Sequence, residues 1–238
     1  MPTAFTINMG LPQELLDEIF SHLPSDDKRS LQSCSLVSKS WLEPSRRLLF
    51  TNITIELAAR QSWLDNISPT NIALLRHVRS LAYFLRVDRT LLCSVYGLHK
   101  YLPSLSRLQT LTLSNVNIGL TIPEHLELFS AFQHTFSSLS LTLACVMWSA
   151  FVALVGYFPN LRNLKIFATS FRADGWPIPR VSSVWRGRLF IDLISRSDLN
   201  VPVDWFSELK LEYEEIEIYG SYEHHLVAAV EKSLKCLK

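Results

Sequence analysis

One spacing template recurs four times through the middle of the chain and constrains that region more than any other feature. Val78-x-x-Leu81-x-Tyr83, Leu108-x-x-Leu111-x-Leu113, Phe136-x-x-Leu139-x-Leu141 and Leu161-x-x-Leu164-x-Ile166 follow one another at steps of 30, 28 and 25 residues. Apolar residues at a period of two mark a strand with one hidden face. Units that repeat at such intervals cannot bury that face alone and do so by stacking on their neighbours. Two of the strands follow an aromatic residue and a Pro-x-Leu start, Tyr101-Leu102-Pro103-Ser104-Leu105 and Tyr157-Phe158-Pro159-Asn160-Leu161. Proline there ends a return helix and turns the chain back.

The stretch from Leu128 to Leu161 contains no Asp, Glu, Lys or Arg, and the run from Leu139 to Phe158 is as long as a membrane span. Ser138, Ser140 and Thr142 nevertheless alternate with Leu139, Leu141 and Leu143. A buried strand followed by a buried helix accounts for both halves. Beyond Phe171 the template weakens. Residues 171–187 hold two glycines, two prolines and two tryptophans, Trp176 and Trp185, and read as an ordered loop whose tryptophans plug the side of the array. Strand patterns return at Leu189–Ile194 and at Leu209-x-Leu211-x-Tyr213. Glu214-Glu215 then puts the alternation out of step before Ile216-x-Ile218, which predicts a bulge. A last amphipathic stretch from Tyr222 to Leu234 reads as a helix, after which the chain stops where another unit would begin, the expectation for a shortened array.

The first fifty residues follow other rules. Leu11 to Phe50 carries more apolar surface than forty residues can bury, a size at which a lone core needs a metal, a disulfide or a partner. Pro12 suits a first helical position and Glu14 the positive end of a helix dipole. Leu15, Leu16, Ile19, Phe20 and Leu23 then fall on one arc of roughly 140°. Leu23-Pro24 ends this helix, and Ser25-Asp26-Asp27 supplies capping oxygens for the next. The second helix is short and carries Leu31 and Cys34. A third starts near Ser38, carries Trp41, Leu42, Leu48 and Leu49, and should be interrupted or kinked at Pro44.

Leu11-Pro12, the spacing of Leu15, Ile19 and Leu23, the run Cys34-Ser35-Leu36-Val37-Ser38-Lys39-Ser40-Trp41 and the closing Leu48-Leu49-Phe50 stand in the order found in the F-box. This segment resembles that module, most of all in F-box proteins of mushroom-forming fungi, with Ser38 where cysteine is common. The resemblance implies a Skp-type adaptor as partner, and through it a cullin-RING ubiquitin ligase. It also implies that Leu11, Pro12, Leu15, Ile19, Leu31, Val37 and Trp41 are shared between the module's own core and the adaptor interface. An ordinary helical hairpin packed on the rest of the chain is the plainer alternative. The middle of the chain resembles a degenerate leucine-rich-repeat array. The asparagine expected three positions after the last leucine is replaced by Val116, Ala144 and Thr169, so irregular turns are expected. An ordinary α/β domain with parallel strands would give a similar pattern.

Chemistry is sparse. None of the seven glycines opens a nucleophile elbow, a phosphate loop or a dinucleotide turn. Four cysteines, Cys34, Cys93, Cys145 and Cys236, lie far apart without metal or disulfide spacing. His224 and His225 point about 100° apart if helical and read as solvated. Glu212, Glu214, Glu215 and Glu217 read as the wet face of an edge strand, with a contact to a basic substrate as the functional alternative. A net charge of +1 steers neither nucleic acid nor an anionic membrane, and the N-terminus lacks a secretory pattern.

The expected architecture is therefore α/β with an all-α N-terminal module: a three-helix F-box at 8–51, then an irregular leucine-rich-repeat solenoid with parallel strands at 52–238. The expected function is a non-enzymatic substrate receptor of an SCF-type ligase, cytoplasmic or nuclear. It binds the adaptor through the F-box and an unknown protein client through the repeats. No cofactor, metal, nucleic acid or membrane is expected. An adaptor-bound scaffold without cullin and a membrane-attached α/β protein are the rival readings.

Overall fold

The computed structural model describes residues 11–24, 27–58, 72–86, 101–115, 117–118, 126–127, 129–142, 145–167, 170–172, 185–193 and 211–220. The chain divides into two compact units, Met1–Asn52 and Ile53–Lys238.

The first unit holds three helices, α1 (Gln13–Ser21), α2 (Lys28–Ser35) and α3 (Lys39–Leu49). Pro12 sits one position earlier than expected. It is the capping residue before α1, and its carbonyl accepts from the backbone N–H groups of Leu15 and Leu16. Asp27 caps α2 by accepting from Ser30 N–H at 3.1 Å. Hydrogen bonds from the Ser30 side chain and then its backbone hold the Asp27 carboxyl below its ordinary value. Ser38 stands at the cap of α3 as expected, but its hydroxyl lies 2.8 Å from that of Ser40 and leaves the helix backbone alone. Of the interruption or kink expected at Pro44, the interruption does not occur, since α3 runs from Lys39 through Pro44 to Leu49. Proline removes one backbone bond, to Ser40, close to the helix start, and burial of the ring compensates. Next to it the buried Ser45 hydroxyl donates to the Trp41 carbonyl at 2.7 Å.

In the second unit the strands β1 (Asn52–Ala58), β2 (Ser80–Arg86), β3 (Thr110–Ser114), β5 (Ser138–Thr142), β7 (Asn163–Phe167), β9 (Trp185–Leu193) and β10 (Leu211–Gly220) form one sheet in that order. From β2 to β10 every neighbouring pair is parallel. A second sheet joins β4 (Asn117–Ile118), β6 (Cys145–Met147) and β8 (Ser170–Arg172), also parallel. Strand order climbs without reversal, so no switch point of the doubly wound kind occurs among the described strands. Short 3₁₀ turns at Ala73–His77, Leu102–Ser104 and Ser130–Phe132, and the helix α4 (Trp148–Tyr157), lie between the strands.

The template residues become two hidden rows. Leu81, Leu111, Leu139, Leu164 and Leu189 are successive register partners, as are Tyr83, Leu113, Leu141, Ile166 and Ile191, and all ten are buried. The first template residues Val78, Leu108, Phe136 and Leu161 are buried as well. Against these rows pack Leu75, Tyr101, Leu102, Phe129, Phe132 and the α4 residues Phe151, Val152, Leu154 and Val155. Phe136 and Phe158 meet with ring centroids 4.3 Å apart.

Backbone bonding repeats with the same period. The Arg79 carbonyl accepts from Gln109 and Thr110, that of Gln109 from Ser137 and Ser138, and that of Ser137 from Arg162 and Asn163, all between 2.8 and 3.0 Å. Arg162 continues the series by accepting from Arg188 at 2.6 Å. Here Gly187 is required, because a Cβ at that position would lie on the Arg162 carbonyl and 2.8 Å from its Cα.

Between β3 and β4, β5 and β6, and β7 and β8 the break is two residues each time, and the short strands pair in step. The irregular turns expected from the missing asparagines fall on these breaks, which lie largely outside the described residues. Val116, Ala144 and Thr169 themselves lie outside the described residues. Asn115, at φ 57°, takes a left-handed conformation that asparagine tolerates, and its N–H donates to Thr142 at 2.9 Å. The charge-free run resolves into β5, β6 and α4, and no helix among the described residues is long and apolar enough to cross a membrane. The expected bulge in β10 is present as a register shift between Tyr213 and Glu215. Trp176, His224, His225, Cys93, Cys236 and the stretch from Tyr222 onward lie outside the described residues, as does the side chain of Trp185.

Candidate docking surface

Helix α1 divides its apolar arc between two destinations. Leu16 and Phe20 turn inward and form, with Leu31, the buried core of the helical unit, against which Leu23, Cys34, Trp41, Leu48 and Leu49 pack. Phe20 meets Trp41 edge-on with centroids 5.5 Å apart, a favourable aromatic geometry. One step round the helix, Leu11, Leu15 and Ile19 are spaced four residues apart and are all exposed, Leu15 by 51%. Four-residue spacing puts Leu15 and Ile19 on one ridge of the helix surface, and Leu11 stands just before its cap Pro12.

A second exposed apolar pair lies at the junction of α2 and α3. Leu36, which caps α2, is 86% exposed, and Val37 beside it is 63% exposed. Five large aliphatic side chains of this small unit are thus left exposed, the kind of surface a partner could cover.

The seven residues singled out from sequence therefore separate. Leu11, Pro12, Leu15, Ile19 and Val37 are exposed, and Trp41 is half-buried on the core. Leu31 is fully buried, so its part is internal and it offers no surface to a partner in this structure. Leu36, outside those seven, is the most exposed of the five aliphatic side chains. The signal for its exposure was present in the sequence, since an apolar pair between two helical periods belongs to neither helix's inward face.

Polar groups around the ridge are short-range and exposed. Gln13 donates to Asp17 at 3.0 Å, and His22 lies 3.1 Å from Glu18. Among the described residues no group of three or more His, Cys, Asp or Glu is placed to hold a metal.

No curated protein matches this chain. A family model described as F-box-like matches residues 9–56, which span the three helices with both exposed apolar groups and enter β1. Residues 9–56 are thus an F-box-like domain.

Proposed function

We propose that this chain is the substrate receptor of an SCF-type cullin-RING ubiquitin ligase. Its F-box, taken as residues 8–51, captures a Skp-type adaptor, and residues 52–238 present a protein client. One observation carries the reading: the F-box-like domain builds its own core from Leu16, Phe20 and Leu31 and still leaves Leu11, Leu15, Ile19, Leu36 and Val37 uncovered. Those side chains, with Pro12 and the accessible edge of Trp41, are the adaptor contacts we assign.

The strand order and the repeating carbonyl bonds support reading the second unit as a degenerate leucine-rich-repeat solenoid, of the kind found in the F-box proteins of mushroom-forming fungi. In this role the chain needs no catalytic residue. It raises the local concentration of client lysines near a ubiquitin-loaded enzyme brought by the RING subunit, in the cytoplasm or the nucleus.

Co-expression with the adaptor and cullin tests the proposal. Capture of both supports the ligase, capture of the adaptor alone makes the chain a scaffold, and capture of neither refutes the docking role. Leu11→Ala combined with Pro12→Ala should abolish adaptor capture while the circular dichroism of the sheet unit persists. Retained capture would contradict the interface assignment.

A further inference from the structure

The face of the large sheet opposite the hidden rows carries its own order. Ser80, Thr110, Ser138, Asn163, Arg188 and Glu215 are successive register partners, and Ala82, Thr112, Ser140, Lys165, Phe190 and Glu217 form the next row. Along each row small or hydroxyl residues give way to one cation, Arg188 on β9 in the first and Lys165 on β7 in the second, and then to a carboxylate on β10. The bulge at Tyr213/Glu215 sets this pattern, because it brings Glu215 and Glu217 into line with Arg188 and Phe190.

An open depression of about 420 Å³ lies there, lined by Ser138, Asn163, Lys165, Arg188, Phe190, Glu215 and Glu217 among others. Arg188 is engaged by Glu215 at 3.3 Å. Lys165 is exposed and has no ion-pair partner among the described residues. Two inter-strand steps separate Lys165 from Glu217, roughly 10 Å, with Phe190 between them as a half-buried floor.

We propose that this depression receives a client segment bearing one acidic and one basic side chain two residues apart, so that both leave the same face of an extended chain and splay to span the distance. The carboxylate pairs with Lys165, with Asn163 and Ser138 as neutral hydrogen-bond donors, and the cation adds to the partners that Glu215 and Glu217 already have. A segment of one sign meets repulsion from one wall, so the depression selects against uniformly acidic and uniformly basic partners. This inference rests on the reading of the second unit as the client-binding part.

The test pans a random phage-displayed peptide library on the intact chain co-expressed with a Skp-type adaptor. The expected winners pair Asp or Glu with Lys or Arg about two positions apart. The best synthetic peptide should bind Lys165→Glu and Glu217→Lys roughly tenfold more weakly, with thermal midpoints unchanged. Panning on Lys165→Glu should shift the winners to doubly basic sequences. Winners of a single sign on the unaltered chain, apolar winners, no enrichment, or a peptide indifferent to Lys165→Glu would overturn the inference. Failure of the ligase reading shows separately, as absence of adaptor and cullin capture by the unaltered chain.

Discussion

At the scale of single residues, adjacent side chains take opposite parts. Leu16 is 1% exposed and Leu15 51%, so the same truncation should separate folding from docking. Leu16→Ala is expected to cost about 2–5 kcal/mol in chemical denaturation, the range for a buried leucine. Leu15→Ala should stay within about 0.5 kcal/mol of the parent and show its effect only as weakened adaptor capture. Gly187→Ala should cost about 1–3 kcal/mol, because the added methyl meets the rigid backbone of Arg162 instead of a side chain that could swing away. Asp27 makes a prediction in pH. Its folded carboxyl titrates below its unfolded value, so the cap contributes above the unfolded value and is lost as pH falls through the folded one. Acid titration followed by circular dichroism should show loss of α2 helicity below about pH 4, and Asp27→Asn, which can still accept from Ser30, should remove that component.

At the scale of elements, the bulge in β10 shows how far the sequence can be read and where reading stops. The double glutamate between Tyr213 and Ile216 is visible as a broken alternation, and the break occurs where the register shifts. Deleting Glu214 removes a residue without a register partner and keeps Tyr213 against Gly187 and Ile216 against Leu189. The variant should therefore melt within a few degrees of the parent by calorimetry. The four template strands were legible because apolar residues stand at all three positions. β9 was legible only from Leu189 onward, because the exposed Arg186 occupies the template's first position and Gly187 serves backbone approach instead of pattern. The short strands β4, β6 and β8 escaped notice, since two or three residues are too few for a periodicity to show. In the helical unit the arc of α1 was visible, but its division between Leu16–Phe20 and Leu11–Leu15–Ile19 was not. Which part of a wide apolar face turns inward is decided by where α3 places Trp41, and that is a tertiary fact.

At the scale of the whole molecule, the two units differ in how much holds each together. The helical unit's core is a cluster of Leu16, Phe20 and Leu31, while the second has a continuous core from Ile55 to Ile191. Amide exchange followed by mass spectrometry should find α1–α3 opening at lower free energy than β3, β5 and β7. Saturating adaptor should slow exchange in the helices and leave the strands unchanged, because a ligand stabilises the state to which it binds. The ladder of accepting carbonyls at Arg79, Gln109, Ser137 and Arg162 has a mechanical corollary. Each layer grips only the one that follows, so tension applied from the β10 side should strip layers in reverse order of synthesis, as a row of small force steps and not one large rupture.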